Sequence, residues 1–136
     1  MREFAFFVGK NPGPTTVILG GVHGHEHMSL QAVREAADEL KRDLGYRGLH
    51  SGRVLFLEGN PEAVRQGKRF IDVNLNRQFT DSKLVNSYDT KVHELRVARS
   101  LYRLFGKADF LLDLHTSDEA TPPFLICDQP KKILEP

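Results

Sequence analysis

Apolar and polar positions alternate along the chain between short continuous runs and stretches with three- and four-residue periodicity. Glu3-Phe-Ala-Phe-Phe-Val8 is rich in aromatic and β-branched residues and predicts a strand, and Gly9-Lys-Asn-Pro-Gly-Pro14 supplies turn chemistry after it. Thr15 to Gly21 is a continuous apolar run bounded by turn residues, as expected of a strand covered on both faces of a parallel sheet. Leu30, Val33, Ala37, Leu40 and Leu44 then share one helical face, Glu35, Asp38, Glu39 and Arg42 take the others, and Gly45 ends the helix. Arg53 to Gly59 predicts another buried strand. From Asn60 to Ser87 the periodicity is weak and polar residues abound; long irregular segments inside compact domains are often functional, so this is a candidate site loop. Val92, Leu95, Ala98, Tyr102 and Phe105 predict a second helix stopped by Gly106. Ala108 to Leu114 follows as a third buried strand, with Phe124 to Cys127 as a fourth. Both helical stripes are read as core. Strands alternating with helices predict an α/β fold, three-layered, with a mostly parallel or mixed central sheet, and residues 1–136 are expected to form one domain.

Composition narrows the function without choosing it. The chain has 136 residues, 40% hydrophobic and 27% charged, an ordinary globular balance. Nineteen Lys plus Arg against eighteen Asp plus Glu give a net charge of +1, so nothing overall selects for nucleic acid or a membrane surface. The single cysteine, Cys127, excludes an internal disulfide and a thiolate metal site; it is expected to be buried filler. Phe4 to Val8 is too short for a signal-peptide core and no run reaches bilayer length, so the expectation is a soluble, cytoplasmic protein. Gly9-Lys-Asn-Pro-Gly lacks the spacing of a nucleotide loop.

Any metal must therefore use His and carboxylate ligands. Gly20-Gly-Val-His-Gly-His-Glu-His27 places several of these just beyond a buried strand, where ligands favour the open end of an α/β sheet. His23 and Glu26, three apart in a turn or first helical turn, can meet one cation. His115, at the end of the strand ending Asp113-Leu-His115, can be carried to the same sheet edge, completing His₂Glu. Three protein ligands leave zinc an open position, the arrangement of a hydrolase rather than of a structural site. Asp113 points to the same strand face as His115, so it can support a ligand histidine or face solvent. A His-x-His pair such as His23 and His25 can also bind metal, which keeps His25 and His27 as alternatives; His50 and His93 are read as ordinary surface or core histidines. Arg69-Phe-Ile-Asp-Val-Asn-Leu-Asn-Arg77 looks like an anion-recognition loop, in which Arg77 with Asn76 fits a carboxylate and Arg69 fits an oxyanion. Both arginines can otherwise pair with Asp72 or Asp81 as solvated charges.

Taken together, Gly-Gly-Val-His-Gly-His-Glu, Asn60-Pro61, Arg69 to Arg77 and Asp113-Leu-His-Thr116 resemble the succinylglutamate desuccinylase/aspartoacylase family, relatives of the zinc carboxypeptidases. The resemblance implies a zinc carboxypeptidase-like fold and hydrolysis of the amide bond of N-acyl amino acids. It also implies one Zn²⁺ on His23, Glu26 and His115, catalytic Arg69, and substrate-binding Asn76 and Arg77. The substrate implied is a small N-acyl amino acid with a free carboxylate, and no nucleic acid or membrane partner is expected. Family members take a general-base glutamate from a region well beyond the Asp-Leu-His strand, whereas only Glu119 and Glu135 follow His115 here. The expectation is an N-terminal part of such an enzyme with an open sheet edge, which predicts self-association or pairing with a C-terminal half. Alternative readings are a zinc carboxypeptidase acting on peptides and a zinc-binding chain without turnover.

Overall fold

The computed structural model describes residues 1–45, 47–80, 91–117 and 119–126. Among these residues four strands and three helices follow one another: β1 (Arg2–Val8), β2 (Asn11–Gly20), α1 (His27–Leu44), β3 (Ser51–Glu58), α2 (Pro61–Gln66), α3 (His93–Phe105) and β4 (Phe110–Asp113). A 3₁₀ turn at Leu75–Arg77 lies between α2 and α3. The strands form one sheet of order β1-β3-β2-β4. β2 runs parallel to both its neighbours and β1 pairs antiparallel with β3, so the sheet is mixed.

Strand alternation sends side chains to opposite faces and so divides the core in two. Val17, Leu19, Leu55 and Leu57 pack with Leu75, Val97, Ala98 and Leu101, which places α3 on one face. Ile18 and Phe56 pack with Val33 and Ala37, which places α1 on the other. This is the helix, sheet, helix layering that the sequence predicts. Phe56, Leu19 and Leu57 are each 2% exposed or less, and burying side chains of that size contributes about 1.5–3 kcal/mol apiece.

Five expectations change. β2 begins at Asn11, inside the expected turn, and its register with β3 shifts before resuming at Thr15. The irregular stretch after Asn60 contains α2, because the Asn60 side chain caps it, Pro61 occupies its first turn and Gly67 closes it in the left-handed region. The buried face of α3 is Glu94, Val97, Ala98 and Leu101, while Tyr102 of the expected stripe is 47% exposed. A buried glutamate is invisible to a count of apolar positions. β4 is an edge strand rather than a buried one, with Phe110, Leu111 and Leu112 between 43% and 55% exposed. Its apolar run resembles that of β2, but among the described residues only β2 pairs with it. Phe124 to Ile126 form no strand, and Cys127 lies outside the described residues. Among the described residues no helix is long and apolar enough to cross a membrane.

Candidate metal centre

The parallel strands β2, β3 and β4 deliver their carboxyl ends to one edge, where polar side chains collect. β2 ends at Gly20; Gly21, at φ +67°, turns the chain, and His23 and Glu26 follow before α1 begins. Packing seats this turn closely: a Cβ on Gly24 would overlap the backbone of Ala63 and Val64 in α2. Ser29 fixes it from the helix side, its buried hydroxyl accepting the Gly21 N–H at 3.2 Å and donating to the Glu26 carbonyl at 2.9 Å. Glu26 stands at the start of α1 without capping it, because its carboxylate turns towards the two histidines. There the positive end of the helix favours the anion.

β4 carries His115 to the same place. One ligand atom from each of His23, Glu26 and His115 lies within 4.8 Å of the others, and the two rings are 5.1 Å apart between centroids. Among the described residues this is the group of three metal-capable side chains that forms, and His25 and His27 stand outside it. Glu26 Oε1 lies 2.6 Å from His23 Nδ1 and Oε2 lies 3.0 Å from His115 Nδ1; Oε2 also accepts the Thr116 N–H at 3.0 Å. Burial pushes the Glu26 carboxyl up, but the Thr116 amide and the two histidines outweigh it and hold the group below its usual range.

The far nitrogens also meet acceptors. His23 Nε2 is 3.1 Å from Asn74 Oδ1, and that oxygen accepts the Asn76 N–H at 3.1 Å, which fixes the orientation of the amide. His115 Nε2 is 3.0 Å from Asp113 Oδ2. A neutral imidazole carries one N–H, yet each ring has an acceptor at both nitrogens. A cation satisfies the pattern: Nε2–H donates outward while Nδ1 turns a lone pair inward beside the carboxylate. Such outward partners fix tautomer and ring orientation in metal sites. His115 shows the same demand for positive charge, its pKa raised above the ordinary value by the hydrogen bond to Asp113 and by both carboxylates, against desolvation. The donor set thus fits a divalent ion such as zinc.

The remaining expected site residues lie on the loop after α2. Asn76 Nδ2 is 3.3 Å from His115 Nε2, so the 3₁₀ turn reaches the centre. Arg77 follows on that turn and is exposed. Arg69 is also exposed, and its carbonyl accepts the Gly24 N–H at 3.3 Å, joining the loop to the residue after His23. Of the acids considered as their partners, Asp72 accepts the His93 backbone N–H at 2.7 Å through Oδ2, and Asp81 lies outside the described residues. His93 is a hydrogen-bonded core-edge residue, its Nε2 donating to Asn60 Oδ1 at 2.9 Å, and His50 is exposed. Glu119 is exposed, and Glu135 lies outside the described residues. Ser29 was missed by sequence reasoning, and so were the roles of Asn74 and Asn60, although Asn74 lies within the Arg69 to Arg77 motif and Asn60-Pro61 is itself one of the motifs of the resemblance.

Comparison with known proteins agrees with this picture. A family model, the succinylglutamate desuccinylase/aspartoacylase catalytic domain, matches residues 12–135. A succinylglutamate desuccinylase of Pseudomonas fluorescens is 33% identical over 112 residues, covering 79% of this chain and 32% of the relative. A probable aspartoacylase of Acaryochloris marina is 32% identical over 120 residues, covering 84% of this chain and 39% of the relative. Among solved structures, murine aminoacylase 3 superposes with a TM-score of 0.60 at 28% identity, over 79% of this chain and 36% of that one. The chain thus spans about a third of the length of the curated relatives it matches.

Proposed function

The chain belongs to the succinylglutamate desuccinylase/aspartoacylase family, and on that premise we propose that it carries the metal-binding and carboxylate-recognising part of a zinc-dependent hydrolase of N-acyl amino acids. One observation carries the reading: both imidazoles of the His23, Glu26, His115 group face acceptors at both ring nitrogens, a pattern that a cation held at their centre would satisfy. Zinc, held by these three residues, would supply a Lewis acid able to activate water.

The chain's own residues then divide the work. Asn74 and Asp113 take the outward N–H of each ligand histidine and keep Nδ1 directed at the centre. Glu26 accepts the Thr116 N–H, which favours its ionised form. Asn76, beside His115, and Arg77, next on the same turn, grip the substrate carboxylate; a guanidinium can take it with two parallel hydrogen bonds. Arg69, on the segment tied to Gly24, stabilises the oxyanion that develops on the scissile carbonyl. The names of the relatives, desuccinylase, aspartoacylase and aminoacylase, support the N-acyl amino acid as substrate class.

The test is metal content by elemental mass spectrometry, with ligand binding on the same material. About one zinc per chain is expected, lost in a His23→Ala/His115→Ala variant. Zinc-dependent binding of N-succinyl-L-glutamate should weaken roughly 10- to 100-fold in Arg77→Ala, with zinc content unchanged. A chain that takes up no specific metal, or an Arg77→Ala variant that loses its zinc, would sink the assignment.

A further inference from the structure

Glu94 is a carboxylate where a helix would ordinarily bury an apolar side chain. It lies in the first turn of α3, on the face packed against the sheet, and is 0% exposed. Four neutral donors surround it. Oε1 accepts the Ile71 N–H at 2.6 Å and the Asn60 side-chain amide at 3.1 Å; Oε2 accepts the Asp72 N–H at 2.9 Å and the Val73 N–H at 3.1 Å. Three successive backbone amides converging on one carboxylate make a concave anion seat in the loop, and the anion that fills it belongs to the helix. The exchange is reciprocal, since Asp72 Oδ2 accepts the His93 N–H at the start of α3.

Two lines lead from this carboxylate to the metal ligands. Along the loop, the residue after Val73 is Asn74, whose side-chain oxygen meets His23 Nε2 and the Asn76 N–H. Through Asn60, whose backbone N–H donates to the Gly21 carbonyl at 3.0 Å, the second line reaches the turn that carries His23. Asn60 is itself 0% exposed, and its Oδ1 is shared by His93 Nε2 and the Ala63 N–H. One buried anion thus touches both the recognition loop and the support of the metal turn.

We propose that Glu94 is a positioning residue that registers the recognition loop against the metal ligands, setting where Asn74, Asn76 and Arg77 stand relative to His23 and His115. That the loop grips a carboxylate rests on the function proposed above. The registration itself rests only on the hydrogen bonds. A glutamine at this position places an NH₂ group where backbone N–H groups point, so at least one bond becomes a donor facing a donor.

The experiment compares the full chain with its Glu94→Gln variant by zinc affinity, binding of N-succinyl-L-glutamate to the zinc-loaded chain, and amide hydrogen exchange. The variant is expected to hold zinc within about threefold of the unsubstituted chain, to bind the probe at least about tenfold more weakly, and to release the amides of residues 71–77 together while β2 and β3 stay protected. A variant that melts earlier but keeps probe affinity and loop protection makes Glu94 merely structural and overturns the proposal. If the variant does not fold, Glu94→Asp replaces it, keeping the charge but giving up one methylene of reach. In the unsubstituted chain, amides 71–73 exchanging at open-loop rates would overturn the proposal whatever any variant does. If the unsubstituted chain binds zinc but not the probe, the carboxylate reading fails and exchange alone decides here: joint release of 71–73 with 74–77 upholds the registration, and release confined to 71–73 ends it.

Discussion

The two sides of the metal centre are built differently. His23 and Glu26, 4% and 6% exposed, sit on a turn pressed against α2 and bonded to Ser29, whereas His115 follows an exposed edge strand and keeps a side chain 31% accessible. Packing holds the first pair. Polar contacts to Glu26 and Asp113 hold the third residue, and these contacts at its Nδ1 and Nε2 carry proton demands that a metal would relieve. One ligand set therefore combines a preorganised half with a half that responds to charge.

The sharpest way to break the comparison is to disturb the packed half alone. Gly24→Ala drives a Cβ into the α2 backbone and is expected to destabilise by roughly 3 kcal/mol or more, read as a fall in the urea midpoint, while Gly67→Ala should cost about 1–2 kcal/mol, from its left-handed backbone alone, because no atom lies within 4 Å of its added Cβ. Next in size, His23→Ala and His115→Ala should both abolish stoichiometric zinc, yet differ in the metal-free chain. Losing His23 takes from the buried Glu26 the partner of its Oε1 at a cost of about 1–3 kcal/mol, and losing His115 should cost less than about 1 kcal/mol. Equal thermal shifts would show that the two halves are not distinct. At the edge itself, Leu112→Ser should cost about 1 kcal/mol, since the side chain is 43% exposed and gives up only part of a leucine's burial.

Acid sharpens the contrast from both sides. His115 has a raised pKa, so a proton competes with metal up to a higher pH than at an ordinary imidazole; below that pKa, zinc affinity measured by competition should fall about tenfold for each unit of pH lost to this one proton. Glu94 behaves oppositely. Burial pushes its carboxyl up, but the amides of Ile71, Asp72 and Val73 with Asn60 hold it below the ordinary value of 4.5. Its stabilisation is fully present above pH 4.5 and is lost as pH falls from there through the depressed folded value. The unsubstituted chain should therefore lose more of its urea midpoint between pH 7 and pH 3 than Glu94→Gln does.

What could be read from the sequence follows from how local each signal is. The β2 run, the His23 and Glu26 spacing and the Asp113-Leu-His115 end are each complete within a few residues, and the fold brings them to one edge as the reading required. α2 was passed over although Asn60, Pro61 and Gly67 mark its ends, because six residues give too little periodicity to register. The inward face of α3 was misjudged because its first member is charged, and burial of Glu94 depends on amides more than twenty residues away along the chain. The exposure of β4 was hidden for another reason: an apolar run reports composition, not how many neighbours a strand has. Asn74 reaches His23 across 51 residues, a distance no local pattern spans.

The pairing of β2 with β4 bears on how the protein forms. Thr15 and Asp109 meet across 94 residues and His115 meets Glu26 across 89, so the third ligand joins the other two only after the longest loop described here has closed. Loop closure costs entropy before its contacts can repay it, and such pairings slow folding. The β1-β3 pairing and the β2-β3 pairing close over shorter spans and can precede it. Competence to bind metal is thus expected to come late in folding, and a refolding experiment followed by zinc uptake would time the docking of β4 separately from the collapse of the rest.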